Sequence, residues 1–422
     1  MTDLSKVLLH LADNAENKFD ELVFRLQERL GTHPIQIVPY IGHGTRRRLY
    51  LRGRVLEDKH ITSARDQDTI WQNLENMYKR INSREIPYAQ VRATFGESVQ
   101  EVTANEEGFF QVQVEVQEDL PADKYFYQIQ LELIDYPHRG HPLPHVQASG
   151  MVIVPPPDAQ FGIISDLDDT VIQTNVLDIL KMARNTFLRN ARTRLPFEGV
   201  AAFYRALQSG TTQTYNPIFY VSSSSWNIYD LLVDFFEVRD IPIGTLFLKD
   251  LGLTEDHLID SGHESHKLKI IQTLLDTHPS LPFLLIGDSS QRDPEIYQQI
   301  VLNNPGRILA VYIRDVTADA DRDRAVGTII DKVKIGGVEM LLVPDTVGAA
   351  EHAALKGFIP EAALMEIHVE RTEDKKPPEP IEKLIDPKTT AEEVGGETAP
   401  ATTPPSNATA TTPASPQTGT SE

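Results

Sequence analysis

The 422-residue sequence predicts an α/β fold: a parallel sheet covered by helices, preceded by an antiparallel β-sandwich-like module and followed by a disordered tail. Three observations carry this expectation. Between residues 160 and 345, apolar strand runs alternate with helical segments. Between residues 32 and 155, short alternating or β-branched runs follow one another with one helical interruption. After Phe358 aromatic residues cease, and from Thr372 Pro, Thr, Ala and Glu dominate.

Charge and composition narrow the function classes. The chain has 61 acidic and 40 basic side chains, a formal net charge of −21, which argues against a general nucleic-acid or anionic-membrane binder. No nucleic-acid partner is expected. With no cysteine there is no disulfide framework, no thiol catalysis and no cysteine-ligated metal. No stretch approaches the roughly 18 uninterrupted apolar residues of a membrane span, and the first residues lack a basic-then-apolar secretory pattern. A cytoplasmic location is expected.

Residues 1–31 read as an amphipathic helix. Leu4, Val7, Leu8, Leu11, Leu22 and Leu26 recur at three- and four-residue spacing, and the pattern stops near Gly31. Asp13, Glu16, Asp20 and Glu21 favour packing on its own domain over a membrane surface.

Residues 32–155 follow as a β-rich module with the strand runs IQIVPYI, LYLRGRVL, AQVRATFG, FFQVQVEV, YFYQIQLELI and GMVIVP, and a helix around Asp66 to Ile81. No titratable cluster with catalytic spacing occurs there. Arg46, Arg47, Arg48, Arg52 and Arg54 form a basic run that reads as a solvated strand face rather than an anion site. Pro155–Asp158 reads as a stiff linker.

In residues 160–345 the strand runs are FGIISD, PIFYVSS, GTLFLKD, PFLLIGD and RILAVYIRD, with helices expected over 226–238, 264–277 and 294–303. Strands separated by helices imply a parallel sheet covered on both faces. These runs end in Asp or Ser, at the carboxyl edge where such sheets place their ligands. Residues 346–371 read as a helical or strand extension, and 372–422 as the tail. In that tail PPEP at 377–380 and PASP at 413–416 have the spacing of proline-rich ligands and suit a protein partner.

The chemistry concentrates in FGIISDLDDTVIQT. A hydrophobic strand delivers Asp166, Asp168 and Asp169 at its end, followed by Thr170. A core has no need of clustered carboxylates, and their repulsion disappears if a hard cation such as Mg²⁺ sits among them. FYVSSSSW then places hydroxyls at Ser222 and Ser223 after a second strand, HKLKII puts Lys267 at a helix start, and FLLIGDSSQRD gives Asp288 at a third strand end with Asp293 after it. Singly each signal is weak; the four in this order, each at a strand end or helix start, are strong.

This set resembles the haloacid dehalogenase superfamily of phosphohydrolases over roughly residues 160–320, its first motif DxDx[T/V] reading Asp166-Leu-Asp168-Asp169-Thr170. The resemblance implies a Rossmann-like haloacid dehalogenase domain. It implies Asp166 as the nucleophile and Asp168 as the general acid and base. Ser222 or Ser223, with Thr170, would bind the phosphoryl oxygens, and Lys267 would neutralise charge on nucleophile and phosphate. Mg²⁺ would be held by Asp166, Asp288 and the backbone of Asp168, with Asp293 orienting Lys267 or a metal-bound water. More narrowly, SDLDDTVIQT, FYVSSSSWN, IPIGTLFLKD, GDSSQRDPEIY and RILAVYIRDV resemble the catalytic domain of the actin-patch-associated phosphatidate phosphatases. That resemblance implies hydrolysis of phosphatidate, an anionic phospholipid, to diacylglycerol and phosphate.

Between Asp178 and Glu198 lie Lys181, Arg184, Arg189, Arg192 and Arg194 with no acid among them. They read either as a solvated basic helix face or as a site for an anionic headgroup and transient membrane contact. Trp226 reads as a core tryptophan rather than an interfacial one. The gaps from Asp166 to Ser222 and from Ser222 to Lys267 are 56 and 45 residues, lengths taken up by the expected helices and one strand. The domain therefore reads as nearly capless, which suits a bulky substrate. Two alternatives stand beside the lipid reading: a phosphatase of a phosphoprotein or nucleic-acid end, and a non-catalytic adaptor using the β module and tail. The intact acid pair, Lys267 and Asp288 weigh against the adaptor.

Overall fold

The computed structural model describes residues 34–57, 84–137, 144–171, 197–249, 263–317 and 319–374. The helix expected over 1–31, the one around 66–81, the basic set from Lys181 to Arg194, and the tail beyond 374 lie outside these residues.

Eight strands build the first sheet: β1 (Ile35–Pro39), β2 (Gly42–Gly44), β3 (Arg48–Glu57), β4 (Gln90–Phe95), β5 (Ser98–Thr103), β6 (Phe109–Glu115), β7 (Phe126–Asp135) and β8 (Gln147–Ile153). They join in one sheet ordered β1-β3-β2-β8-β7-β4-β5, with β6 paired to β3, not in two separate stacked sheets. Ser98 Oγ donates to the Glu115 carbonyl at 2.8 Å and the Gln113 amide donates to Gln100 Oε1 at 2.8 Å, so β5 lies beside β6 and the sheet curls on itself. All pairs are antiparallel except β2 with β8. Alternation explains the core: in β6 and β7 every second residue (Val112, Val114, Ile129, Leu131, Leu133) faces inward and the Gln and Glu between them face out.

Two strands of this first sheet were not expected. β2 has three residues, too short to show a period. β5 alternates between half-buried and exposed positions, which leaves no apolar face to read. The β4–β5 turn is Gly96-Glu97, with Gly96 at φ 57°, the left-handed value that tight hairpin turns require.

Six strands build the second sheet: β9 (Gly162–Asp166), β10 (Ile218–Ser225), β11 (Thr245–Lys249), β12 (Phe283–Asp288), β13 (Ile308–Arg314) and β14 (Glu339–Val343). All neighbours are parallel, and the order is β11-β10-β9-β12-β13-β14. Numbered within this sheet the order is 3-2-1-4-5-6, and its direction reverses between β9 and β12, where open α/β sheets bind ligands. The helices are α1 (Val200–Ser209), α2 (Tyr229–Val238), α3 (His263–Thr277), α4 (Asp293–Asn303), α5 (Ala320–Ile335), α6 (Thr346–Leu355) and α7 (Ala363–Asp374). One face of the sheet packs Ile163, Tyr220, Ile286 and Tyr312 against α1, α2 and α6, and the other packs Ile164, Phe219, Leu285 and Val311 against α3, α4 and α5. Burial on both sides is why these strands read as continuous apolar runs.

The carboxyl-terminal extension is helical, and α7 runs through Asp374, so Thr372 belongs to a helix and not to the tail. The amide of Ala202, in the first turn of α1, donates to Glu370 at 2.7 Å, and that of Gly199, just before it, donates to Asp374 at 2.9 Å. These are helix-start donors that α1's own N-cap, a glycine, leaves without a side-chain acceptor.

Pro155–Asp158 does not hold the sheets apart as a linker: the Ala159 amide closes a turn on the Pro156 carbonyl, and Tyr40 and Phe109 of the first sheet share a core with α1 and α2. The arginine run is also divided. Arg46 and Arg47 pair with Asp119, and Arg48 with Glu115, at the surface. Arg54 is buried, and Arg52 lies 4.7 Å from the centre of the Trp226 ring. Trp226 is a buried residue, as read. Among the described residues no helix is long and apolar enough to cross a membrane.

Candidate active site

The carboxyl ends of β9 and β12 bring the motif residues together. Asp166 is the last residue of β9 and Asp288 the last of β12. Lys267, on the first turns of α3, places Nζ 2.8 Å from Asp166 Oδ1 and 2.7 Å from Asp293 Oδ1, and all three residues are buried. Asp293 opens α4 and also accepts the Asp288 amide at Oδ2, 3.3 Å away. Gly287 makes this approach possible, since a Cβ there would sit 2.5 Å from Asp293 Oδ2.

Asp288 turns back on its own loop. Its Oδ1 accepts from the Ser290 amide (2.6 Å), the Ser290 hydroxyl (2.5 Å) and the Gln291 amide (3.1 Å). Arg322 on α5 clamps that loop, donating to the carbonyls of Ser289 and Gln291 at 2.7 and 2.6 Å while pairing with Glu295. Sequence reasoning missed Ser290, Gln291 and Arg322; the Asp-Ser-Ser turn was a readable signal for Ser290, whereas Arg322 is too distant in the chain to show one.

After β9 the chain reverses at Asp169, φ 57°, a conformation Asp tolerates better than most residues. Asp168 consequently points to β10, not to the other carboxylates: its Oδ2 accepts from Ser222 Oγ at 2.8 Å and its Oδ1 from Ser224 Oγ at 3.5 Å. Ser222 and Ser224 are two residues apart on a strand and so share a face, a period that could have singled out Ser224. Ser222 Oγ also accepts the Ser224 amide at 2.9 Å. Ser223 faces the other way, and its buried hydroxyl has no partner among the described residues. The Thr170 hydroxyl is likewise buried and unpartnered, lining a small cavity of about 20 Å³ with Tyr204, Tyr312, Arg314 and Thr346.

The electrostatics favour a cation. Burial pushes the Asp166 carboxyl well above the ordinary carboxylate range; Lys267 pulls against this, while Asp293, Asp168 and Asp288 add to it. Burial likewise raises Asp288, reinforced by Asp293. Burial disfavours the Lys267 charge, yet Asp166 and Asp293 more than offset it and hold the ammonium above the ordinary lysine range.

Asp166, Asp288 and Asp293 offer oxygens within 4.8 Å of one another. Three carboxylates against one ammonium leave two negative charges, which one divalent cation would balance. The orphaned atoms show where it fits. Among the described residues Asp166 Oδ2 and Asp288 Oδ2 are buried without hydrogen-bond partners, whereas both Asp293 oxygens are engaged by Lys267 and the Asp288 amide. The donor set is all oxygen, as Mg²⁺ prefers.

Comparison with known proteins covers this same stretch. A family model described as the catalytic domain of phosphatidate phosphatase APP1 matches residues 161–315. Phosphatidate phosphatase APP1 of Saccharomyces cerevisiae is 32% identical over 182 residues, which cover 43% of this chain and 30% of that protein. An uncharacterized protein of Schizosaccharomyces pombe, C29B5.04c, is 29% identical over 159 residues, covering 37% of this chain and 26% of that protein. The chain thus spans less than a third of the length of these curated relatives. Among solved structures, the carbohydrate acetylesterase XAC1771 of Xanthomonas citri is 11% identical with a TM-score of 0.24, covering 65% of this chain and 68% of that one, a likeness too weak to carry an argument. The matched stretch, residues 161–315, holds β9 to β13 and the whole carboxylate cluster, and over it the chain is similar to the APP1 catalytic domains.

Proposed function

We propose that this protein is a Mg²⁺-dependent phosphomonoesterase of haloacid dehalogenase type whose substrate is phosphatidate, released as diacylglycerol and phosphate. The observation that carries the reading is the buried Asp166–Lys267–Asp293 array beside Asp288, with one oxygen each of Asp166 and Asp288 lacking a partner among the described residues. Asp166 and Asp288 would hold Mg²⁺, which when bound supplies charge neutralisation between carboxylate and phosphate. Lys267 fixes the Asp166 carboxylate and faces the incoming phosphoryl oxygens, and Asp293 holds Lys267 in place. Ser223, with its unpartnered hydroxyl, is the better placed of the two serines to bind phosphate, since Ser222 is committed to Asp168.

Asp166 Oδ attacks phosphorus, and the bond from phosphorus to the ester oxygen breaks as Asp168 gives that oxygen its proton. Water then attacks the acyl phosphate, Asp168 takes back a proton, and phosphate leaves with the Asp166 carboxylate restored. Ser222 and Ser224 hold Asp168 apart from the three clustered carboxylates, so acid–base work and phosphoryl acceptance fall to separate carboxyls. The lipid assignment rests on the family match and the APP1 relative. Contact with a membrane surface belongs to the same proposal.

The test is phosphate release from phosphatidate in mixed micelles, beside 4-nitrophenyl phosphate and a phosphopeptide, with and without Mg²⁺. Wild type should hydrolyse phosphatidate only with Mg²⁺, and Asp166→Asn should lose at least roughly 10³-fold in kcat. Asp166→Asn turnover at the wild-type rate would overturn the mechanism. Release from the soluble substrates alone would overturn the lipid assignment.

A further inference from the structure

The first sheet reaches into the serine turn that holds Asp168. Directly after Ser222 and Ser224, the chain makes a short helical turn, Trp226–Ile228, started by Ser225 Oγ accepting the Asn227 amide. Every side chain of that turn's beginning is gripped from outside the parallel sheet. Trp226 stacks on Tyr40 at 4.8 Å and 16°, with the Arg52 guanidinium near its ring. Arg54 Nη1 donates to Asn227 Oδ1 at 2.7 Å. Two residues further, the Tyr229 hydroxyl accepts the Ile41 amide at 2.7 Å.

Arg54 is itself immobilised. Nε donates to the Glu107 carbonyl and Nη2 to Glu85, each at 2.8 Å, and the guanidinium lies 4.2 Å from the centre of the Phe109 ring. A buried guanidinium held by two hydrogen bonds and an aromatic ring is a rigid fork, and its Nη1 donor meets Asn227, five residues from Ser222. The turn needs such support: between Val221 and Ser225, β10 loses register with β11, so sheet hydrogen bonds alone do not fix the serines.

We propose that Arg54 is a positioning residue for phosphoryl transfer: through Asn227 it sets the serine turn, and through Ser222 and Ser224 the orientation of Asp168. The β module is then part of the active-site scaffold, not an appended binding domain. This inference rests on the phosphatase reading above.

The experiment uses the full chain with Arg54→Gln, Asn227→Ala, their double variant and Asn227→Asp, which keeps an oxygen acceptor for Arg54. On 4-nitrophenyl phosphate with Mg²⁺, Arg54→Gln and Asn227→Ala should each lower kcat by about 10–100-fold with KM moved less than about threefold. The double variant should be no slower than the slower single, because both break one link. Asn227→Asp should restore kcat to within about threefold of wild type.

Hydrogen exchange supplies a readout independent of turnover: in Arg54→Gln the Ser224 and Asn227 amides should exchange at least about tenfold faster while those of β12 stay protected. Should Arg54→Gln fail to fold, the exposed Asn227→Ala carries the same test. Wild-type kcat in both single variants, multiplying losses in the double, or unchanged exchange at Ser224 and Asn227 would overturn the proposal. Inactive wild type would instead overturn the phosphatase reading, and the exchange experiment would still decide whether Arg54 sets the turn.

Discussion

Two carboxylate oxygens, Asp166 Oδ2 and Asp288 Oδ2, are buried with no hydrogen-bond partner among the described residues. An unpaired buried carboxylate is expensive, so a ligand that satisfies both should stabilise the fold. We expect Mg²⁺ to raise the melting temperature of wild type, by the equivalent of about 2.7 kcal/mol at a hundredfold excess over Kd, and to leave Asp288→Asn unmoved. Equal rises in both would show that the ion binds elsewhere. Residue identity at these positions was readable from strand-end spacing, because a buried strand has one place to expose a carboxylate. The division of labour was not. That Asp293 is saturated by Lys267 and an amide, and that Asp168 turns to β10, depends on side-chain directions across four separate segments.

At the scale of elements, two junctions build the site. The β12–α4 connection works because Gly287 leaves room for Asp293: a Cβ would meet Asp293 Oδ2 at 2.5 Å and Tyr297 Cε2 at 2.9 Å. Gly287→Ala should therefore push Asp293 from Lys267 and lower kcat by about 10–100-fold, out of proportion to any change in melting temperature. Wild-type kcat in this variant would refute the packing argument. The second junction is α1 on α7, where Glu370 accepts the Ala202 amide and pairs with Arg205 at 2.6 Å. Glu370→Ala removes a cap and a half-buried ion pair, so a loss of about 1–2 kcal/mol is expected in urea unfolding. A loss under about 0.3 kcal/mol would show that water replaces the cap as well. Helices α2, α3 and α4 were foreseeable from their apolar period. That α7 caps α1 was not, since 163 residues of chain separate Gly199 from the start of α7 and only packing brings them together.

At the scale of the whole molecule, the two sheets share a core. His43 of β2 is half-buried among Tyr50, Phe219, Phe247 and His278, its ring centre 6.2 Å from that of His278. Burial lowers His43 from 6.5 to about 3, helped by His278; burial lowers His278 from 6.5 to about 4, helped by Arg307. Both rings are neutral in the fold and take up protons more readily in the unfolded chain. Their contribution is complete above pH 6.5 and is lost as pH falls from there towards 4, on the order of 3 kcal/mol for His278. Urea midpoints between pH 7.5 and 4.5 should fall less in His278→Phe than in wild type, and parallel falls would rule the pair out as the cause.

The α/β class, the end-of-strand carboxylates and the APP1-like motif order are all legible in the residues alone, because strand period, helix period and motif spacing are local properties of the chain. Packing alone fixes that the first eight strands curl into one sheet, that three of five clustered arginines pair at the surface while Arg54 is buried, and that Arg54 reaches Asn227 across 173 residues of sequence. A surface ion pair and a buried clamp are written with the same residue, and burial, which no local pattern encodes, separates them.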